Sequence, residues 1–289
     1  MFALIRLLRP HQWIKNSFVF AGIIFAHLQH NAVLVKQAGI LAVAFCLVSS
    51  AAYIVNDIFD RANDAAHPLK KLRPLAAGTI SVTTALITAL ILTIASFSLA
   101  MLTTHTAVAI LFCYLLLSIA YSAWLKNWLY LDILVIASGF LLRILAGTIG
   151  IGITPSNWIL VCSLCLTLFL GFNKRRAEQR LLQQAELPLP PILQRYQPRL
   201  LDTLIWLTAL ATILSYIFYT AHQFHAINFH PSFIFSIPLV AFGIIRYLYL
   251  SKQNLVSYHG IDMARDILQD PYLLTSLAVW VIIAMNFNG

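Results

Sequence analysis

The sequence predicts an all-α integral membrane protein of about nine transmembrane helices. Three observations predict it. Hydrophobic residues make up 60% of the 289 and charged residues only 10%, with a mean hydropathy of +0.82. A soluble domain with that balance could not cover its surface with polar groups. Apolar runs long enough to cross a bilayer recur from end to end. The bases between those runs fall almost entirely on one side.

In chain order, "MFALIRLLRP" has arginine among its leucines and no small-residue cleavage site after it. It reads as a short amphipathic helix at the interface and not as a cleavable signal. Spans are expected near 17–35, 38–56, 80–103, 105–124, 129–150, 156–173, 201–221, 231–250 and 271–287. His27, Gln29, His30 and Asn31 make the first the least apolar. The segment 174–200 is the longest polar insertion, is proline-rich ("ELPLPP"), and is expected to hold a short interfacial helix. With no linker or low-complexity tract, a single domain over 1–289 is expected.

Charge sets the orientation. Arg6, Arg9 and Lys15 precede the first span, and Arg61, Lys70, Lys71 and Arg73 fill the second loop. Lys126 lies in the fourth loop and Lys174, Arg175, Arg176, Arg180, Arg195 and Arg199 in the sixth; Arg246, Lys252 and Arg265 belong to the eighth. Only Lys36 stands on the alternate side, and Arg143 lies within a span. The positive-inside rule places the N-terminus and the basic loops in the cytoplasm and, for an odd number of spans, the C-terminus outside. The formal charge of +9 is therefore topology and excludes nucleic acid as the partner it would otherwise suggest. Cys46, Cys113, Cys162 and Cys165 lie in apolar runs, where cysteine acts as a small hydrophobe. The CxxC of Cys162 and Cys165 has no strand or polar surface to suit a redox or metal role.

One stretch carries chemistry: "NDIFDRANDAAHPLKKLRPLAAG", from Asn56 to Gly78. Asp57, Asp60 and Asp64 are spaced i, i+3, i+7, within roughly 60° of one another on a helix. Two further turns of the second span would project all three from one face beside Asn56, before Pro68 ends the helix. Three like charges there repel, and a hard divalent cation compensates them; Mg²⁺ commonly bridges one or two carboxylates to a substrate phosphate. Lys70, Lys71 and Arg73 follow where they can take phosphate oxygens. Acids for a metal and bases for phosphates suggest a site for a diphosphate leaving group. A solvated helix end before a positive loop accounts for the lysines but poorly for the row of acids.

"NDIFDRAND" resembles the NDxxDxxxD signature of the UbiA superfamily of intramembrane prenyltransferases. "LRPHQWIKN" at 8–16, 56–78 as quoted, "YSAWLKNWLYLDILVIASGFLLRILAG" at 121–147 and "NKRRAEQRLL" at 173–182 resemble its decaprenyl-phosphate phosphoribosyltransferase branch. The resemblance implies nine helices around a central cavity open to the cytoplasmic side of the plasma membrane and sideways to lipid. It implies transfer of 5-phosphoribose from phosphoribosyl diphosphate to a polyprenyl phosphate, with Mg²⁺ on the diphosphate held by Asn56, Asp57, Asp60 and Asp64. In-line attack would invert ribose C1. Quinone-precursor prenyltransferases carry a second DxxxD motif after the sixth span; here that position reads "NKRRAEQR". Lys174, Arg175 and Arg176 suit the extra 5-phosphate of a sugar donor, and Glu178 is the one acid grouped with them.

Other residues have two readings. Arg143, a charge deep in a span, reads as facing the cavity toward a phosphate or as purely structural; Asp132, three turns away, is too far to pair with it. Tyr121 and Lys126 are donor contacts by resemblance; without it Lys126 is an orientation charge. Lys15, with Gln12 and Asn16, reads equally as an anion contact or an interfacial anchor beside Trp13. Asp262, Asp266 and Asp270 form a second acidic row, but Asp270 before Pro271 reads most simply as an N-cap. His222, His225 and His230 read as interfacial. An aromatic prenyltransferase of the same superfamily, acting for example on 4-hydroxybenzoate, and a transporter or lipid flippase are the rival functions. A homo-oligomer is compatible with all of them.

Overall fold

The computed structural model describes residues 2–66, 70–224, 234–253 and 269–286, and among these it is helical with no strand. Pro68, His225, His230, Asp262, Arg265 and Asp266, named above, lie outside the described residues. The described chain clusters into two compact units. The first runs from the N-terminus to Pro155 without 136–138, and the second comprises those three residues and the chain from Ser156 on.

In the first unit α1 (Phe2–Leu8) is the short helix expected at the N-terminus. The first expected span, 17–35, is not one helix. A 3-10 helix covers Pro10–Phe20 and passes into α2 (Ala21–Phe25), while Ala32 onward already belongs to α3 (Ala32–Phe59). The Asn31 side chain accepts from the Val33 and Leu34 amides, so the polar residues that interrupt the apolar run include the cap of the next helix. At 28 residues α3 is about 42 Å long, against about 30 Å of hydrocarbon, so its last turns reach the headgroup level. It stops at Phe59, Asp60 forms the C-cap, and α4 (Arg61–Ala66) restarts. The acids thus sit across a helix break, not on an uninterrupted helix.

α5 (Val82–Met101) is capped by Ser81 and α6 (His105–Ala123) by Thr104. Ala85, Ala89, Ser96 and Ala100 bury a small-residue face of α5, and Ser96 Oγ donates to Ala44 O on α3 at 2.7 Å. Phe45, Leu41 and Val48 of α3 share a core with Val19, Ile23, Leu111 and Tyr114. Just past α7 (Leu131–Ala146) two backbones approach closely: a Cβ on Gly147 would stand 1.7 Å from Val19 O.

In the second unit α8 (Asn157–Gln184) has 28 residues and continues through 174–184, where a loop was expected. Its polar end therefore stands on a rigid rod. The expected short helix is α9 (Pro191–Arg195), held to α8 by Gln179 Nε2, which donates to Leu193 O and Tyr196 O at 2.8 Å each. α10 (Pro198–Phe224), α11 (Ser236–Lys252) and α12 (Pro271–Asn286) complete this unit. Among the described residues, six helical segments are long and apolar enough to cross a membrane: Ala32–Phe59, Val82–Met101, His105–Ala123, Leu131–Ile151, Asn157–Gln184 and Pro198–His222. α11 and α12, at 17 and 16 residues, are shorter. The protein is an all-α integral membrane protein.

Candidate functional site

Each acid of the motif meets a base. Asp57, 2% exposed, is the last buried residue of α3. Its Oδ1 accepts from Arg9 and from Arg73 Nη1, the latter at 3.2 Å. The same Arg73 Nη1 donates to Asp64 Oδ2 at 2.6 Å, so one guanidinium bridges the i, i+7 pair. Asp60 turns aside: Lys126 Nζ reaches its Oδ1 at 2.5 Å and Asn56 Nδ2 donates to its Oδ2 at 3.1 Å. Burial raises the Asp64 carboxyl above the usual carboxylate range, against the lowering pull of Arg73.

Arg9 is the partner that the sequence reading missed, although it lies in the quoted stretch 8–16. Its φ of +52° is left-handed, which costs an L-residue about 1–2 kcal/mol, and it precedes Pro10. Its guanidinium lies over the Tyr53 ring, 5.1 Å from the centroid. The bend aims the arginine at Asp57. A base directly before a proline that ends an amphipathic helix was the available signal.

The remaining first-unit residues are placed as follows. Lys15 donates to Gln12 Oε1. Lys70 opens the 3-10 turn that precedes Arg73, and its charge acts on Asp64. Tyr121 is half-buried near the end of α6. Arg143, 4% exposed, donates from Nε to Asn16 Oδ1 (2.8 Å), from Nη1 to Gly139 O (2.7 Å) and from Nη2 to Tyr114 OH (2.8 Å). Tyr114, Phe140 and Phe45 surround it at 4.7, 5.4 and 5.8 Å. These are the contacts of a buried clamp. Asn16 in turn donates to Ser49 Oγ and Cys46 Sγ, tying the 3-10 helix to α3.

In the second unit Arg175 Nη1 pairs with Glu178 Oε2 at 3.1 Å, and Lys174 is half-buried beside them. Arg176 forks onto Asp202 (2.9 and 3.2 Å), which also accepts from Arg180 (3.1 Å). Asp270 is the N-cap that its place before proline predicts: Oδ1 accepts the Leu273 amide at 2.8 Å, and Oδ2 pairs with Arg246 at 2.7 Å. Both oxygens are engaged.

Among the described residues no three His, Cys, Asp or Glu side chains are grouped to hold one metal ion. The donor set nevertheless suits a hard cation. Asp57 and Asp64 already converge on a single positive group, and carboxylate oxygens are the ligands Mg²⁺ takes.

The UbiA prenyltransferase family model matches residues 16–257. The chain belongs to the UbiA prenyltransferase family. This UbiA protein is 33% identical over 217 residues to the decaprenyl-phosphate phosphoribosyltransferase of Mycolicibacterium smegmatis, covering 74% of this chain and 68% of that one. It is 34% identical over 217 residues to the enzyme of the same name from Corynebacterium glutamicum, covering 74% and 65%. Its fold is that of a UbiA homolog from Archaeoglobus fulgidus bound to GPP and Mg²⁺, with a TM-score of 0.74 over 99% of both chains at 17% identity. It is thus a UbiA-family transferase of the membrane.

Proposed function

We propose that this protein transfers 5-phosphoribose from phosphoribosyl diphosphate to the phosphate of a polyprenyl lipid and releases diphosphate. The observation that carries the reading is the set of carboxylates Asp57, Asp60 and Asp64, each held by a base across the break between α3 and α4. The corresponding segment of α8 has Glu178 alone, already paired with Arg175. A prenyl diphosphate gripped from both sides calls for acids in both places; a sugar donor with an added phosphate calls for bases in the second.

Asp57 and Asp64, with Asp60 and Asn56, would hold Mg²⁺. When bound, the ion neutralises the charge that develops on the leaving diphosphate. Arg73 presents a fork suited to phosphate oxygens once the carboxylates are otherwise compensated, and Lys70 and Lys126 add charge at the same end. Lys15 and Tyr121 are further donor contacts; Lys174 and Arg175 take the 5-phosphate. The ribose C1–oxygen bond breaks with its electron pair leaving on the diphosphate, and an oxygen of the lipid phosphate bonds C1 from the opposite face, inverting it. That phosphate is already an anion, so no strong general base is required.

The reaction takes place in a cavity open to the cytoplasmic side of the plasma membrane, with the N-terminus inside and the C-terminus outside. The 3-10 helix and α2 cover about 30 Å (11 residues at about 2.0 Å and 5 at about 1.5 Å) and so provide a first crossing with fewer residues than an α-helix needs. The test is the double variant Asp57→Ala, Asp60→Ala. It should insert normally yet lose turnover and Mg²⁺ dependence; retained Mg²⁺-dependent turnover rejects the assignment.

A further inference from the structure

A cavity of about 290 Å³ lies among α8, α10 and α11, lined by Asn173, Arg180, Asp202, Trp206, Ser251 and Lys252 with two apolar neighbours. Its charge is unbalanced. Asp202 is the one acid of the lining and serves both Arg176 and Arg180, one turn apart. Lys252 makes no ion pair among the described residues; its ammonium lies 5.2 Å from the Trp206 ring centroid. Two cations of the lining, Arg180 and Lys252, thus face one carboxylate, which Arg176 from outside the lining already shares.

Asn173 donates to Phe169 O within its own helix. The Ser251 hydroxyl also lines the cavity and can donate. A lining with more positive than negative side chains and a hydroxyl donor suits a polar anion. A third observation narrows the ligand. Trp206, 55% exposed, begins an exposed apolar row on α10 that continues through Leu207, Leu210, Leu214 and Phe218. A membrane-facing row that starts at a basic cavity offers a track for a hydrocarbon tail, with the cavity at headgroup level.

We propose that this cavity binds the phosphate head group of a lipid, with Arg180 and Lys252 on the phosphate oxygens and Ser251 donating. The inference rests on the membrane reading and not on the transfer reaction, so binding is measured without metal and without turnover. The full chain in phosphatidylcholine nanodiscs is titrated with polyprenyl phosphate, phosphatidic acid or phosphoribosyl diphosphate, and retention is read by native mass spectrometry. Wild type should retain a lipid phosphate saturably. Lys252→Gln and Ser251→Ala, which leave the Asp202 ion pairs intact, should weaken retention about tenfold for the lysine and severalfold for the serine. Exposed Arg61→Gln should not. Tighter retention of polyprenyl phosphate marks the transfer acceptor, and tighter phosphatidic acid marks a resident membrane lipid; either supports the inference. No saturable lipid, retention indifferent to Lys252, or phosphoribosyl diphosphate displacing the lipid at equal concentration overturns it.

Discussion

Arg143 illustrates what a single residue contributes. A guanidinium inside an apolar unit is costly unless its donors are satisfied, and here each of its three nitrogens donates to the protein. Arg143→Met would leave Asn16 Oδ1 and the Tyr114 hydroxyl without that donor, at about 1–3 kcal/mol for each group left unpaired. The expected outcome is a lower midpoint of heat unfolding in detergent, with Arg143→Lys recovering part of it. An unchanged midpoint with a selective loss of donor affinity would instead return Arg143 to phosphate binding. At this scale the acids were legible because Asp57, Asp60 and Asp64 share a spacing. Arg9 was less so: its place before Pro10 hints at a bend, but the partner that receives it is 48 residues away.

Among the elements, legibility followed length. α3, α5, α6, α8 and α10 are long apolar runs, the first four behind polar N-caps, and the sequence marks them. The segment 10–25 was misread because a 3-10 and an α-helix differ by one residue in hydrogen-bond reach, and "WIKNSFVFAGIIF" has no periodicity that separates them. What selects that winding is tertiary: Gly22 and Gly147 let two backbones meet, with Gly147 O only 2.3 Å from a Cβ on Gly22. Gly147→Ala should therefore lower stability by about 1–3 kcal/mol, as overpacking does, while Gly39→Ala on α3, with open space around it, should leave stability unchanged or slightly raised. Equal thermal midpoints for the two variants would refute this packing account. α12 gives a pH prediction. The Arg246 hydrogen bond, helped by the Leu273 amide, holds the Asp270 carboxyl below its usual range. A depressed folded value means that this stabilisation is present above the unfolded-state pKa of about 4 and fades as the pH falls through the lower folded value. Unfolding followed between pH 3 and 6 should show an acid-sensitive increment that Asp270→Asn lacks.

For the whole molecule, composition alone specifies a helical membrane protein, and the family match and fold agree with the membrane class. Orientation is a separate prediction. In a cysteine-free background, Lys71→Cys should react with an impermeant thiol reagent only from the cytoplasmic side and Lys36→Cys only from the outer side. Reaction of both from one side would contradict the topology. What composition could not reveal is the pairing of every motif acid with a base, because those contacts join residues as far apart as Asp60 and Lys126.

Movement of a sugar phosphate onto a lipid can be read directly. The direct measurement incubates the purified protein and Mg²⁺ with phosphoribosyl diphosphate labelled in the ribose, together with polyprenyl phosphate. Label should appear in the lipid fraction, with one diphosphate released per lipid labelled. An unlabelled lipid, alongside turnover of a prenyl diphosphate with an aromatic acid, would contradict it.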